Sequence, residues 1–173
     1  MSAGKHKAAG WTHLDERGAA RMVDVTAKPE SVREARAEAL LRMRPDTRQL
    51  FADQALAKGD ALAVARVAGI MAAKRTSSLI PLAHPIAIEA VSVDFTFVEE
   101  GIRITARVRT RAATGVEMEA LTAVAVAALA LYDMGKAHER GMRIADLRLV
   151  EKRGGASGHW RAGDGEKDGP AGK

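Results

Sequence analysis

The stretch GVEMEALTAVAVAALALYDMGK, Gly115–Lys136, decides how this chain folds. Thirteen uncharged residues, 120–132, separate Glu119 from Asp133. That run is too short to span a bilayer. Being apolar on nearly every side, the segment reads as a long helix buried in the core. Its charges sit only at the two ends. Glu117 and Glu119 stand at the front, where carboxylates offset the positive end of a helix dipole. Lys136 stands at the back, where a cation is equally at home. On spacing alone, capping explains these three. Asp133 does not fit, because an acid near the C-terminal end opposes the dipole. It lies three residues before Lys136, on the same face, where the two can pair. An acid–base couple kept at an unfavourable terminus points to chemistry.

Before that helix the pattern changes to period two. Val91, Val93, Phe95 and Phe97 alternate with polar residues, Glu99–Gly101 turns the chain, and Ile102, Ile104, Ala106 and Val108 alternate back, a hairpin. Further upstream, Glu34–Met43 places Ala35, Ala37, Ala39, Leu41 and Met43 on one side and reads as a strand, although Val32, Ala35, Ala39 and Met43 also suit a helix. Arg21–Thr26, RMVDVT, reads as a short strand. Pro45 suits a first helical turn, so a helix is expected from there to about Ala57. Lys58-Gly59 breaks it, and Asp60 caps a second helix to about Lys74. Pro81 and Pro85 enclose His84 in a stretch that cannot be regular helix. After the long helix, a last strand over about Ile144–Val150 leads into the glycine-rich run Gly154–Gly158. This order predicts an α+β fold, an antiparallel sheet with helices packed on one face.

Composition narrows the function. The 173 residues have room for one domain, expected over 14–161 between disordered tails at 1–13 and 162–173. There is no cysteine, which removes disulfides, thiolate metal sites and Cys-ligated iron–sulfur clusters. The start carries no apolar signal region, so a soluble, cytoplasmic protein with no membrane partner is expected. Formal net charge is +5, which favours anionic partners, while an aromatic content of 3% makes a base-stacking platform for nucleic acid poorly supplied. Five histidines show no metal-ligand spacing, and no G-x-x-x-x-G-K is present, which disfavours a zinc site and a P-loop nucleotidase. Lys58 reads as a loop lysine and His84 as a packed one. Lys152 and Arg153 precede glycines whose N–H groups suit a phosphate. The residues alone thus describe a basic α+β domain for a phosphorylated ligand.

The blocks RMVDVTAK, VREARAEA, KGD, AGIMAAKRT, LIPLAHP, TGVEMEALTA, LYDMGKA and GGASG together resemble the cyclic pyranopterin monophosphate synthases of molybdenum cofactor biosynthesis, in register from about Leu14 to about Gly158. The resemblance implies a ferredoxin-like subunit, assembled as a hexamer (a trimer of dimers) with its site at a subunit interface. It implies a lyase that converts 3′,8-cyclo-7,8-dihydroguanosine 5′-triphosphate to cyclic pyranopterin monophosphate and diphosphate. No cofactor is required, with Mg²⁺ at most a companion of the triphosphate and no metal held by the protein. Carried over by motif, the catalytic residues are Asp133, Lys136 and Lys58. The substrate-binding residues are Leu82, Ala83 and His84 of LIPLAHP, Glu117, Met118 and Glu119 of VEMEA, Lys152, and Arg33 of VREA. Ala83 departs from relatives that often carry cysteine there, which leaves its backbone as the contact.

The chemistry needs proton transfer and charge neutralisation at phosphate. Asp133 with Lys136 suits the first, and Lys58 and Lys152 suit the second. Glu117, Glu119 and the Met118 backbone suit the N–H donors of a guanine-derived ring. Glu119 and Asp133 are fourteen residues apart, ~21 Å along a helix. Both ends cannot reach one reacting centre, so they are expected to serve different sites or different halves of a shared one. The rivals are a basic RNA-binding module, indifferent to Asp133, and another nucleoside-triphosphate hydrolase or cyclase acting on ordinary GTP.

Overall fold

The computed structural model describes residues 19–155 and 158–163 of the chain. The expectation of disordered tails therefore falls almost wholly outside the described residues.

The hydrophobic alternation becomes a central strand flanked on both sides. Strand β1 (Ser31–Arg42) pairs antiparallel with β3 (Gly101–Ala112) and with β4 (Arg143–Arg153). Strand β2 (Ala90–Val98) forms the hairpin with β3, and the short β5 (Trp160–Arg161) extends β4, for a sheet order β2-β3-β1-β4-β5. Three helices separate β1 from β2: α1 (Pro45–Ala52), α2 (Ala61–Ala73) and α3 (Thr76–Leu79); the long α4 (Glu117–Gly135) separates β3 from β4. Apart from β5 this is a β-α-β-β-α-β succession with the strands in order 2-3-1-4, the ferredoxin-like arrangement.

Pairing settles the ambiguity in β1. Ala35, Ala37, Ala39 and Leu41 stand opposite Val108, Ala106, Ile104 and Ile102 of β3, and all eight are essentially inaccessible. Together they make one apolar face against which α4 lies, through Ala120, Ala123, Val124, Ala127 and Leu131. With so few aromatic residues, the core is filled by small side chains that let the layers approach closely. Gly69 of α2 shows the same economy. A Cβ there would come within 2.9 Å of the Ala123 carbonyl of α4. The length and apolar character of α4 would suit a membrane span, but 56% of that window is buried within the fold. It is a core helix.

Two local expectations are corrected. Arg21–Thr26 is not a strand. Its groups are used locally, since the Thr26 N–H donates to the Asp24 carboxylate at 2.9 Å and the Lys28 N–H to the Val25 carbonyl at 3.0 Å. Helix α1 stops at Ala52 rather than about Ala57, because Gln54 adopts a positive φ of 53° that ends the helical path.

Candidate active site

Two clusters of chemistry-bearing side chains form, one at each end of α4. At the N-terminal end, a cleft of ≈ 670 Å³ opens between the start of β1, the β3–α4 connection and the end of β4. Lys28, Arg33, Lys152 and Arg153 line it, against only Glu34 and Glu117. Beside it lies a second cleft of ≈ 500 Å³, lined by Leu82, Ala83, His84, Met118 and Glu119 among others. Lys28, Thr114, Gly115 and Glu117 line both, so the two are one continuous groove. One part is rich in cations and the other holds two carboxylates.

Backbone geometry builds the cationic part. Gly154 and Gly155 follow β4 with φ of 90° and 78°, a conformation that favours glycine. A side chain on Gly154 would run into the Val32 carbonyl, and one on Gly155 into the Arg33 guanidinium. The turn therefore presses against the start of β1. Arg33 donates from Nε to the Ala112 carbonyl at 3.2 Å and from Nη2 to Ala113 at 3.1 Å, tying β1 to the connection that leads into α4. Lys152 approaches the Glu117 carboxylate at 3.8 Å.

In the second part, His84 Nε2 lies 2.7 Å from the Val23 carbonyl. A carbonyl only accepts, so this nitrogen carries the proton and neutral His84 presents Nδ1 as an acceptor. The Ala83 N–H donates to Ile80 at 3.0 Å, so a ligand contact through its backbone would use the carbonyl. Glu119 keeps only 3% of its surface exposed. Burial, reinforced by the nearby Glu117 charge, pushes its carboxyl up to about 6, against a hydrogen bond from its own N–H.

The other end of α4 carries Lys58, Asp133 and Lys136. Lys136 Nζ lies 2.7 Å from Asp133 Oδ1, and Lys58 Nζ lies 2.8 Å from both Oδ2 and the Asp133 carbonyl. Lys58 arrives from the α1–α2 turn, 75 positions away in the chain. The two ammonium groups, Lys136 first, hold the Asp133 carboxyl at about 2, and the carboxylate raises Lys136 in return. All three side chains are about half exposed. Such solvated pairs contribute little to folding, which leaves their arrangement unexplained by stability. A recess of ≈ 300 Å³ adjoins them, lined by Leu50, Leu56, Met134 and His138 among others.

The structure thus gathers Arg33, Leu82, Ala83, His84, Glu117, Met118, Glu119 and Lys152 into one groove, and Lys58, Asp133 and Lys136 into a second cluster. It does not bring the groups together: α4 keeps them ~21 Å apart within one chain. Lys28, which lines both clefts, was not among the residues expected from sequence. Its signal was a lysine just before Pro29 at the start of β1, hidden by reading the preceding residues as a strand. Among the described residues, no group of three His, Cys, Asp or Glu side chains is placed to hold a metal ion.

Residues 22–155 match the model of the MoaC family. A protein of Thermomicrobium roseum named cyclic pyranopterin monophosphate synthase is 60% identical over 157 residues, which cover 90% of this chain and 95% of that one. One of the same name from Novosphingobium aromaticivorans is 56% identical over 153 residues, covering 88% and 98%. Cyclic pyranopterin monophosphate synthase 3 of Mycobacterium bovis is 58% identical over 156 residues, covering 88% and 87%. Matched along nearly the whole described domain, groove and lysine–aspartate cluster included, the chain belongs to the MoaC family.

Proposed function

We infer that this chain is a cyclic pyranopterin monophosphate synthase of molybdenum cofactor biosynthesis. It converts 3′,8-cyclo-7,8-dihydroguanosine 5′-triphosphate to cyclic pyranopterin monophosphate with release of diphosphate. The observation that carries this reading is identity of 56–60% to proteins of that name across about nine-tenths of the chain. The groove's division of charge supports it. A guanine-derived ring offers N–H donors that suit Glu117 and Glu119. A triphosphate suits the cationic half, where Arg33 and Lys152 would neutralise its oxygens and the departing diphosphate.

As a phosphorus–oxygen lyase the enzyme works by general acid–base catalysis. Asp133 begins ionised, held so by both ammonium groups, and can accept a proton, while Lys136 begins protonated with the carboxylate steadying its ammonium. Lys58 holds the other carboxylate oxygen and offers a second positive charge to the phosphates. The reaction involves no net oxidation, so residues suffice without a redox cofactor. Any Mg²⁺ arrives on the triphosphate.

A complete site then requires two copies of the chain, the lysine–aspartate end of one facing the groove of another. The separation along α4 supports this, as do Val64, Val67 and Met71 of α2 and Leu129 of α4, large apolar side chains left about half exposed. We infer a trimer of dimers with the site at a subunit interface, acting in the cytoplasm without membrane or nucleic acid. Against RNA binding, β1, β3 and β4 carry no aromatic residue, and Phe95 and Phe97 of β2 share the face of Ile104 and Ile102, towards the helices. Incubation with the cyclised dihydro-GTP, followed by mass spectrometry, should show the cyclic monophosphate and diphosphate forming together. Absence of both, or equal turnover of GTP, would overturn the reading.

A further inference from the structure

We propose that Glu139, in the connection after α4, is a positioning residue: it fixes the start of α1 against the end of α4 and so sets Lys58 opposite Asp133. The proposal rests on the functional reading above, which gives the lysine–aspartate cluster its part in the reaction. Glu139 belongs to neither the groove nor the cluster, yet only 8% of its surface is exposed. A carboxylate is costly to bury unless a donor meets it. Here the donor is backbone: the Arg44 N–H donates to Glu139 Oε2 at 3.0 Å, across 95 positions of the chain. Arg44 is the N-cap of α1, and its side chain gives that helix no cap. The guanidinium turns instead to the Asp46 carboxylate, at 3.1 and 3.2 Å. Glu139 therefore supplies, from a distant part of the chain, the acceptor that a capping box draws from the third helical residue. Its charge also faces the positive end of the helix.

The bond matters to the cluster because α1 leads to Lys58. The connection after α1 folds back on the helix, with the Asp53 N–H donating to the Gln49 carbonyl at 2.9 Å and the Ala55 N–H to Leu50 at 3.0 Å. A shift of α1 therefore carries Lys58 with it. A side chain that is 45% exposed is placed by where its backbone stands rather than by packing.

Helix α1 meets the end of α4 at both of its own ends. At its last turn, Phe51 packs beside Gly135, which stands between Asp133 and Lys136; a Cβ on Gly135 would lie 2.9 Å from the Phe51 ring. At its first turn the contact is Glu139, whose own N–H donates to the Gly135 carbonyl at 3.1 Å. His138 reaches Asp46 at 3.1 Å, but that pair is exposed and restrains little. Arg48 donates to the Val98 carbonyl at 2.8 Å, which ties α1 to the hairpin and not to α4. Alignment of the first turn of α1 on α4 thus falls to Glu139. A displacement of about 1 Å at a catalytic group costs on the order of 10²-fold in rate.

The test uses the full-length protein with cyclised dihydro-GTP and compares Glu139→Ala, Glu139→Gln and Arg44→Pro, each alone and combined with Lys58→Ala, with rates taken per folded protein. Glutamine keeps an oxygen for the Arg44 N–H, so Glu139→Gln should stay within about fivefold of wild type in kcat/KM. Glu139→Ala should lower kcat/KM by about 10- to 10²-fold. Arg44 has a φ of −67°, which proline shares, so Arg44→Pro removes the donor N–H without straining the backbone and should reproduce the loss. Where Lys58 is already alanine, Glu139→Ala and Arg44→Pro should each cost less than about twofold more, because residues acting as a unit are not additive. A crystal structure of Glu139→Ala should show Lys58 Nζ more than about 4 Å from the Asp133 carboxylate. Arg44→Pro carries both readouts if Glu139→Ala does not fold. Wild-type kcat/KM in Glu139→Ala, equal losses with and without Lys58, Glu139→Gln as impaired as Glu139→Ala, or Lys58 unmoved in the crystal would each overturn the proposal while leaving the functional reading intact. If wild type itself does not convert the substrate, the functional reading falls, and the position of Lys58 in the variant crystal alone decides the proposal.

Discussion

Glu119→Gln should stabilise the folded chain, and only above the pH at which the buried carboxyl ionises. Burial raises this group from its ordinary 4.5 to about 6. A displacement of that size corresponds to ~2 kcal/mol between the protonated and ionised forms. Water in the groove screens part of it, so ~1 to 2 kcal/mol is expected in practice. Since the folded pKa lies above the unfolded one, the native state binds this proton more tightly. Its contribution is fully present below 4.5, is lost as pH rises through about 6, and is constant thereafter. Glutamine has nearly the same shape and no charge to desolvate. The measurement is unfolding free energy in urea for both proteins, at one fixed protein concentration, from about pH 4 to about pH 8. Subtracting the wild-type curve from that of the variant removes every other titrating group. The difference should climb by ~1 to 2 kcal/mol across the window and then level off, equivalent to roughly 2–8 °C in Tm for a chain of this length. A level difference throughout would mean that Glu119 is not desolvated in the folded chain.

Asp133→Asn should leave folding and substrate binding intact, because the side chain is more than half exposed, and should lower turnover by about two orders of magnitude or more; near-normal turnover would remove Asp133 from the proton-transfer couple. Gly154→Ala should cost about 1–3 kcal/mol, since φ is 90° and the new Cβ meets the Val32 carbonyl, and it should weaken triphosphate binding by displacing the turn beside Lys152. Unchanged melting and affinity would show that the turn does not shape the groove. Glu119→Gln and Asp133→Asn, each inactive alone, should recover about one quarter of wild-type activity when unfolded, mixed and refolded together. In a twofold dimer, random pairing makes half the dimers mixed, and each of those keeps one lesion-free site. No recovery in well-folded mixed oligomers would exclude a shared site.

What was legible in the chain is what short-range periodicity encodes. The β2–β3 hairpin and α4 follow from apolar spacings of two and of every side, and Asp60 caps α2 through the Ala63 N–H as its position suggests. The charged pairs at the two ends of α4, Glu117 with Glu119 and Asp133 with Lys136, were legible because each is contiguous in sequence. The motif blocks added His84, Arg33 and Lys152 by resemblance. Elsewhere local pattern was insufficient. Glu34–Met43 reads as a strand but fits a helical spacing too, and the ladders to β3 and β4 on either side decide for the strand, because they satisfy backbone groups that a helix would satisfy internally. Arg21–Thr26 alternates like a strand, yet finds its partners in its own turn and in the His84 ring. The meeting of Lys58 with Asp133, and the position of Lys28 between the two halves of the groove, depend on how α1, α2 and the segment before β1 pack around α4. Charged side chains far apart in sequence carry no periodic signal of their neighbours. Their proximity, and hence the lowering of the Asp133 carboxyl by its two lysines, exists only once the apolar core has fixed the distances between the elements that carry them.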